Sequence, residues 1–552
     1  MSRSGPSRSR GGGRFSRRAL LRAAGGSIVL TAAGGVRPWR YAEAASAQDS
    51  KTLLVGADLH NIRTLDPART IEVTGMMIEK VAYDTLITFD GEDLKTPKPL
   101  LATSWKVGPD GRSYTFALRS GVKFVSGNEL TSADVKWSFD RVLNLKANTL
   151  FLFNGVQEVL APDPRTVVIR TKAPQPSIVP ILSHPGLGIV DSKLLMEKGG
   201  DAGPDAKSKD QAEPYLNGRS AGSGPFVLTS YTPAQELVLA RNPNYWRGAA
   251  GLEHIVVRHV PEPVTQALQV VRGDLDLATS IGIDQIAPLR RAPSVVVKTS
   301  PAATTFYVLM NANPEVGGPF ANAKVQQAVR YALDYRGIMS IAGPGAVRLA
   351  GVIPTLMPGS LDSKEAVRTD PEKARALLKE SGIAQVRGKF SYASDQVSWG
   401  IPTAILAQKI QSDMAAVGIV LDLEGLPIIT ALQQYRDGKN QIGVWGWAAD
   451  YPDPSDFLVW APGRVVGKRA GWLPSATPAA QKLAALADEA EAEVEPHKRV
   501  ALLQEFDRTL GQVGPFAPLF QPAVPYAYRA NVERVAYHTV WAIDFYPIRK
   551  SA

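Results

Sequence analysis

The stretch Val444–Leu458 reads VWGWAADYPDPSDFL and concentrates the residue types that recognise ligands. Trp445 and Trp447 are two apart, so in a strand they project to one face. There they can stack on a ligand, wall a pocket or pack in the core, with Trp447 the better placed for a cleft. Asp450, Asp453 and Asp456 follow on a loop that Pro452 and Pro454 stiffen. Asp453 and Asp456 read as turn and N-cap residues for the segment PSDFL. A calcium loop is disfavoured by the two prolines and by the lack of a regular one-three-five oxygen spacing.

Other chemistry is excluded or unsupported. The chain has no cysteine, which removes thiol catalysis, disulfides and a lipid-bearing cysteine. No phosphate-binding loop ending in Lys-Ser/Thr is present, no glycine-rich dinucleotide motif opens a helix, and no nucleophile elbow is expected. Among six histidines only His254 and His259 are close, and five apart in a strand they face opposite sides. They read as ordinary sheet residues, so no metal or cofactor is expected.

The net charge of +10 over 552 residues is unevenly placed. Residues 1–47 carry nine arginines against the single acid Glu43, which is +8 and leaves about +2 for the rest. The body therefore has no electrostatic footprint for nucleic acid. Arg17-Arg18, Leu20-Leu21, a weakly apolar stretch interrupted by Arg22 and glycines, and Ala45-Ser46-Ala47 have the order of a twin-arginine export signal (1–47). No stretch is long and apolar enough to span a bilayer.

The elements that must position the acidic loop alternate between strands and helices. Residues 52–58 read as a strand, 74–83 as a helix and 113–125 as a hairpin turning at Ser120-Gly121. Thr131 with Asp134 opens a helix, and 199–225 has the composition of a loop or linker. Three strands follow between 225 and 260, then a helix at 263–272. Asn322 and Asp370-Pro371 open two more helices, and further helices are expected at 403–417, 477–494 and 496–511. The interleaving predicts an α/β fold with more than one sheet.

Five blocks resemble the extracellular solute-binding proteins of family 5, the peptide- and nickel-type receptors of ABC importers. They are DGRSYTFALRSGVKFVSGNELTSADVKWSFDRV (110–142), GSGPFVLTSYTPAQELVLARNPNYW (222–246), NAKVQQAVRYALDYRGIM (322–339), DPEKARALLKESGI (370–383) and 444–458, in the family's order. The resemblance implies a two-lobed periplasmic-binding-protein fold with an extra inserted domain, its hinged lobes closing on ligand. Lobe I would comprise 48–91, 221–300 and 521–552, the inserted domain 92–220 and lobe II 301–520, with hinges near 300 and 520.

In the family's peptide binders an Asp after the tryptophan-rich strand holds the ligand's ammonium. That position is Asp450 here, although a plain turn or capping role competes. The dipeptide binders' carboxylate-holding arginine is missing from SYASDQVSWGIP (391–402), where Val397 or a neighbour takes its place. Trp399 is left as an aromatic wall, and Arg464 and Arg436 as substitute cations. No histidine falls in the blocks facing the cleft, which weakens a nickel reading. The resemblance thus implies a monomeric periplasmic receptor for an oligopeptide-like solute, delivering it to membrane permease subunits and doing no chemistry. A cationic small molecule, a sugar or a nickel chelate is the alternative solute, and an exported hydrolase the alternative class.

Overall fold

The computed structural model describes residues 50–551. The expected export signal lies outside the described residues. Two mixed sheets organise the chain. In the first, of seven strands, the order is Val295–Pro301, Ala523–Arg529, Leu277–Ala278, Thr52–Ala57, His254–His259, Glu236–Arg241 and Phe226–Thr232. Thr52–Ala57 is central and runs parallel to both neighbours. All six of its residues are buried, as a strand covered on both faces must be.

The second sheet has six strands, ordered Val347–Arg348, Phe516–Gln521, Thr304–Met310, Ile442–Ala448, Arg387–Ala393 and Val420–Leu426. Its strand Thr304–Met310 is wholly buried, its side chains divided between two hydrophobic clusters. Helix N-termini follow local rules: Asn322 accepts from Lys324 N–H at 2.8 Å and Asp370 from Lys373 N–H at 2.9 Å. The two sheets are joined where Val295–Pro301 continues into Thr304–Met310 and Phe516–Gln521 into Ala523–Arg529. The two crossings lie side by side. Pro301 faces Ala523 in the ladder, and Ala302 N–H donates to Pro522 O at 3.0 Å.

A four-stranded antiparallel sheet, ordered Ala102–Val107, Ser113–Leu118, Thr166–Thr171 and Val156–Asp163, carries its own core under helix Ser132–Leu145. One sequence expectation fails here. The hairpin at 113–125 does not form, because Ser113–Leu118 is already paired on both edges, with Ala102–Val107 and Thr166–Thr171. Val122 and Phe124 instead turn into the core beneath it. The stretch 199–225 is mostly loop, as expected. It contains the short helices Ala206–Lys209 and Glu213–Leu216. It also supplies Asp210, which pairs with the buried Arg141 at 2.8 Å, and Arg141 in turn with Asp66 at 2.6 Å. A buried guanidinium is tolerated only with such partners.

Candidate functional site

Strand Ile442–Ala448 runs antiparallel to Thr304–Met310, with Trp445 opposite Tyr307 and Trp447 opposite Thr305. The two indoles share a face but not a depth. Trp445 is buried and stacks on Tyr435, with ring centroids 4.3 Å apart. Trp447, nearer the strand end, packs edge-on against Trp460 and is only half-buried.

The loop after this strand is fixed by its other two acids. Asp453 accepts from Ser455 N–H at 2.9 Å, capping the 3₁₀ turn Pro454–Trp460, and forms a fork with Arg499 at 2.6 and 2.9 Å. One oxygen of Asp456 accepts from Trp447 Nε1 at 3.3 Å and from Asp450 N–H at 2.9 Å. Asp450 is therefore held by its backbone, while its carboxylate makes no hydrogen bond or ion pair with any described residue. Burial pushes Asp450 up to about 6. Asp456 is also held well above the usual carboxylate range, first by burial and then by the charge of Asp450.

Asp450 and Trp447 line a cavity of about 710 Å³, together with Tyr451 and Asp456. The facing wall comes from the four-stranded sheet and its adjoining turns, including Phe151, Lys172, Gln175 and Ile181. Lys172 Nζ donates to Asn154 O at 3.0 Å. Asp488 and Glu491 close one end, both bridged to Arg464 at 2.7 and 2.6 Å. The lining thus offers one carboxylate free for a cation, aromatic and apolar walls, and few free donors. That combination suits a ligand with a positive end and an apolar body.

The model of the bacterial extracellular solute-binding proteins, family 5, middle region, matches residues 96–464. The chain belongs to this family. It is 29% identical over 419 residues to the probable D,D-dipeptide-binding periplasmic protein DdpA of Escherichia coli (strain K12), covering 75% of this chain and 78% of that one. It is 28% identical over 531 residues to di/tripeptide-binding protein 2 of Pseudomonas aeruginosa (strain UCBPP-PA14), covering 91% and 96%. The solved dipeptide-binding protein from Pseudoalteromonas sp. SM9913, in complex with Met-Leu, superposes with a TM-score of 0.74 at 22% identity, covering 91% of this chain and all of that one. Its structural relatives are two-lobed periplasmic binding proteins, and the present α/β fold is of that kind. No helix among the described residues is long and apolar enough to cross a membrane.

Within this solute-binding protein the remaining expected residues part company. Trp445 does not line the cavity. It lies deeper along the strand, where Tyr435 covers it. Trp399 sits elsewhere, edge-on to Phe306 at 5.7 Å and close to the joins between the two sheets. It takes a left-handed φ of 52°, and the next residue, Gly400, lies against Ile281 and Ile283 of the other half. Arg464 is engaged by its two acids, and the exposed Arg436 is absent from the lining. Neither is placed to take a ligand carboxylate beside Asp450. Arg469 lies over Tyr435 and Trp447, 4.7 and 5.7 Å from the ring centroids, and went unnoticed because no motif marks it. The string GRSAG (218–222) has the spacing of a nucleophile elbow, but Ser220 is buried and its Oγ accepts from Leu228 N–H at 3.0 Å. It precedes a strand rather than opening a helix, so it is no elbow.

Proposed function

We propose that this solute-binding protein captures peptides with a free N-terminus, with the Asp450 carboxylate taking the ammonium and Trp447 walling the first residue. The observation that carries this is the Asp450 side chain itself. It faces a cavity large enough for a short peptide, and its backbone is fixed by Asp456 while its own oxygens are unclaimed. The relatives named for dipeptides and tripeptides support the same ligand class.

Residues 48–91, 221–300 and 521–552 would form one lobe, 301–520 the other and 92–220 the inserted domain. Trp399, beside the crossings, would meet the far end of a longer ligand. The protein would act as a monomer without catalysis, handing its solute to permease subunits of an ABC importer. Export by the twin-arginine route is the reading that Arg17-Arg18 supports, and replacing the pair by Lys-Lys should retain the precursor in the cytoplasm.

The test is thermal melting of the mature chain against di- to hexapeptides and their N-acetylated forms. Ligand bound to the folded state raises the melting temperature with its excess over the dissociation constant. Free-amine peptides should shift it and acetylated ones should not. Asp450→Asn should weaken binding by about a hundredfold, the loss expected for one partner of a desolvated charge pair. Equal shifts from free and acetylated peptides would reject the ammonium role.

A further inference from the structure

The seven-stranded sheet brings together a second set of side chains that the solute site does not use. Thr52–Ala57 and His254–His259 are parallel neighbours, and the register places Ala57 beside His259. Asp58 and His60 follow directly on the first strand. The parallel ladder therefore sets two imidazoles and a carboxylate around one point from segments about two hundred residues apart in sequence. Asp58 Oδ1 lies 3.6 Å from His60 Nδ1 and 3.7 Å from His259 Nδ1. One donor atom from each of the three residues falls within 4.8 Å of the others.

We propose that Asp58, His60 and His259 form a binding site for a late first-row divalent cation of the zinc or copper class. The donor set is the first reason. Two imidazoles and one carboxylate suit Zn²⁺, Ni²⁺ and Cu²⁺, whereas Mg²⁺ and Ca²⁺ take oxygen donors. Spacing is the second. An ion about 2.0–2.1 Å from nitrogen and oxygen donors in tetrahedral array puts those donors about 3.4 Å apart, so small side-chain rotations complete the site.

Orientation is the third reason. Asp58 is steadied by His60 N–H at 2.9 Å and Asn61 Nδ2 at 3.1 Å. His259 Nδ1 accepts from Leu59 N–H at 3.1 Å, which keeps that nitrogen unprotonated and aimed at the loop. A cation would take over this lone pair from Leu59. It would also leave one coordination position open to water, since the His60 and Asp58 side chains are 65% and 37% exposed. The ion would clamp the loop after one strand to the end of its neighbour.

Calorimetric titration of the metal-stripped full mature chain with ZnCl₂ and with CuCl₂ tests the site. One equivalent should bind, Cu²⁺ more tightly than Zn²⁺. His60→Ala and His259→Ala should each weaken it by about tenfold or more, as expected for loss of one of three donors. His497→Ala, at an exposed histidine on helix Pro496–Val513, should not. The Leu59 amide resonance should move on saturation in the parent and need about tenfold more metal to move in His60→Ala. Melting in EDTA shows whether each variant folds. Binding that His60→Ala and His259→Ala leave unaltered would mean an adventitious ion only and would overturn the site. Peptide affinity enters none of these readouts, so the test stands or falls apart from the solute reading.

Discussion

At the scale of a residue, Asp450 is a carboxylate held in place and left without a counter-charge. Its ordinary value of 3.8 is raised to about 6 by burial, and the neighbouring Asp456 is raised as well, so the two titrate as a pair. The folded, ligand-free chain then binds the proton more tightly than the unfolded chain does. From about pH 4 upward its stability should fall as pH rises, the Asp450 part of the penalty being present in full above 6. Asp450→Asn removes that titration. It should melt higher than the parent at pH 7.5, and the two should converge near pH 4. On the proposed ammonium role peptide affinity should run the other way, because the ammonium would need the ionised acid. It should hold above pH 6 and drop by about tenfold per unit below it. Melting curves and dissociation constants from pH 4 to 8 check both slopes. Parallel curves for parent and variant would remove Asp450 from the account.

At the scale of an element, the strand and the loop after it are one device: the ladder sets Trp447, Asp456 sets Asp450, and Asp453 ties the loop to helix Pro496–Val513 through Arg499. Both side chains of that pair are nearly buried, 6% exposed for Asp453 and 12% for Arg499. Asp453→Ala strands the guanidinium and should destabilise the chain by about 3–5 kcal/mol, read from urea midpoints. It should also weaken peptide binding, since the loop that aims Asp450 loses its anchor. Lost stability with unchanged peptide affinity would confine the pair to folding. Much of this device was legible beforehand. The strand, the rigid loop and the capping role of Asp453 follow from local chemistry, as do the caps at Asn322 and Asp370, whereas Asp456 does not cap the turn but holds Asp450 N–H and Trp447 Nε1. What was not legible depends on pairing between distant segments. Arg499 is 46 residues from Asp453, Arg141 is 69 from Asp210, and the cavity wall at 151–181 comes from a separate sheet. Ser113–Leu118 looked like half of a hairpin because alternation names the buried face of a strand but not its partner.

At the scale of the whole molecule, the cavity has walls from two cores joined by few chain connections. The four-stranded sheet is built into the first half of the chain, whereas Asp450 belongs to the six-stranded sheet. Between the seven- and six-stranded sheets the chain passes at Ala302-Ala303 and at Pro522, two adjacent strands linked by the Ala302–Pro522 hydrogen bond. A pair of neighbouring extended segments would bend about one axis and resist twisting, which suits the proposed hinge. Opening there would separate Asp450 and Trp447 from Phe151 and Lys172 and expose the proposed ammonium site to solvent, while closure would dry it and strengthen the charge interaction. The absence of cysteine makes this measurable with two introduced thiols. Lys106→Cys and Lys379→Cys place spin labels on exposed positions away from the cavity, the first on strand Ala102–Val107 of the four-stranded sheet and the second on helix Pro371–Glu380 of the half that carries Asp450. Pulsed dipolar spectroscopy should give a broad, longer distance distribution without ligand and a narrow, shorter one with a saturating free-amine peptide. In Asp450→Asn the same peptide concentration should leave the distribution long, because closure is driven only by the affinity difference between the two forms. A distribution that ignores ligand in the parent would mean that the walls are fixed and that peptide enters by another route.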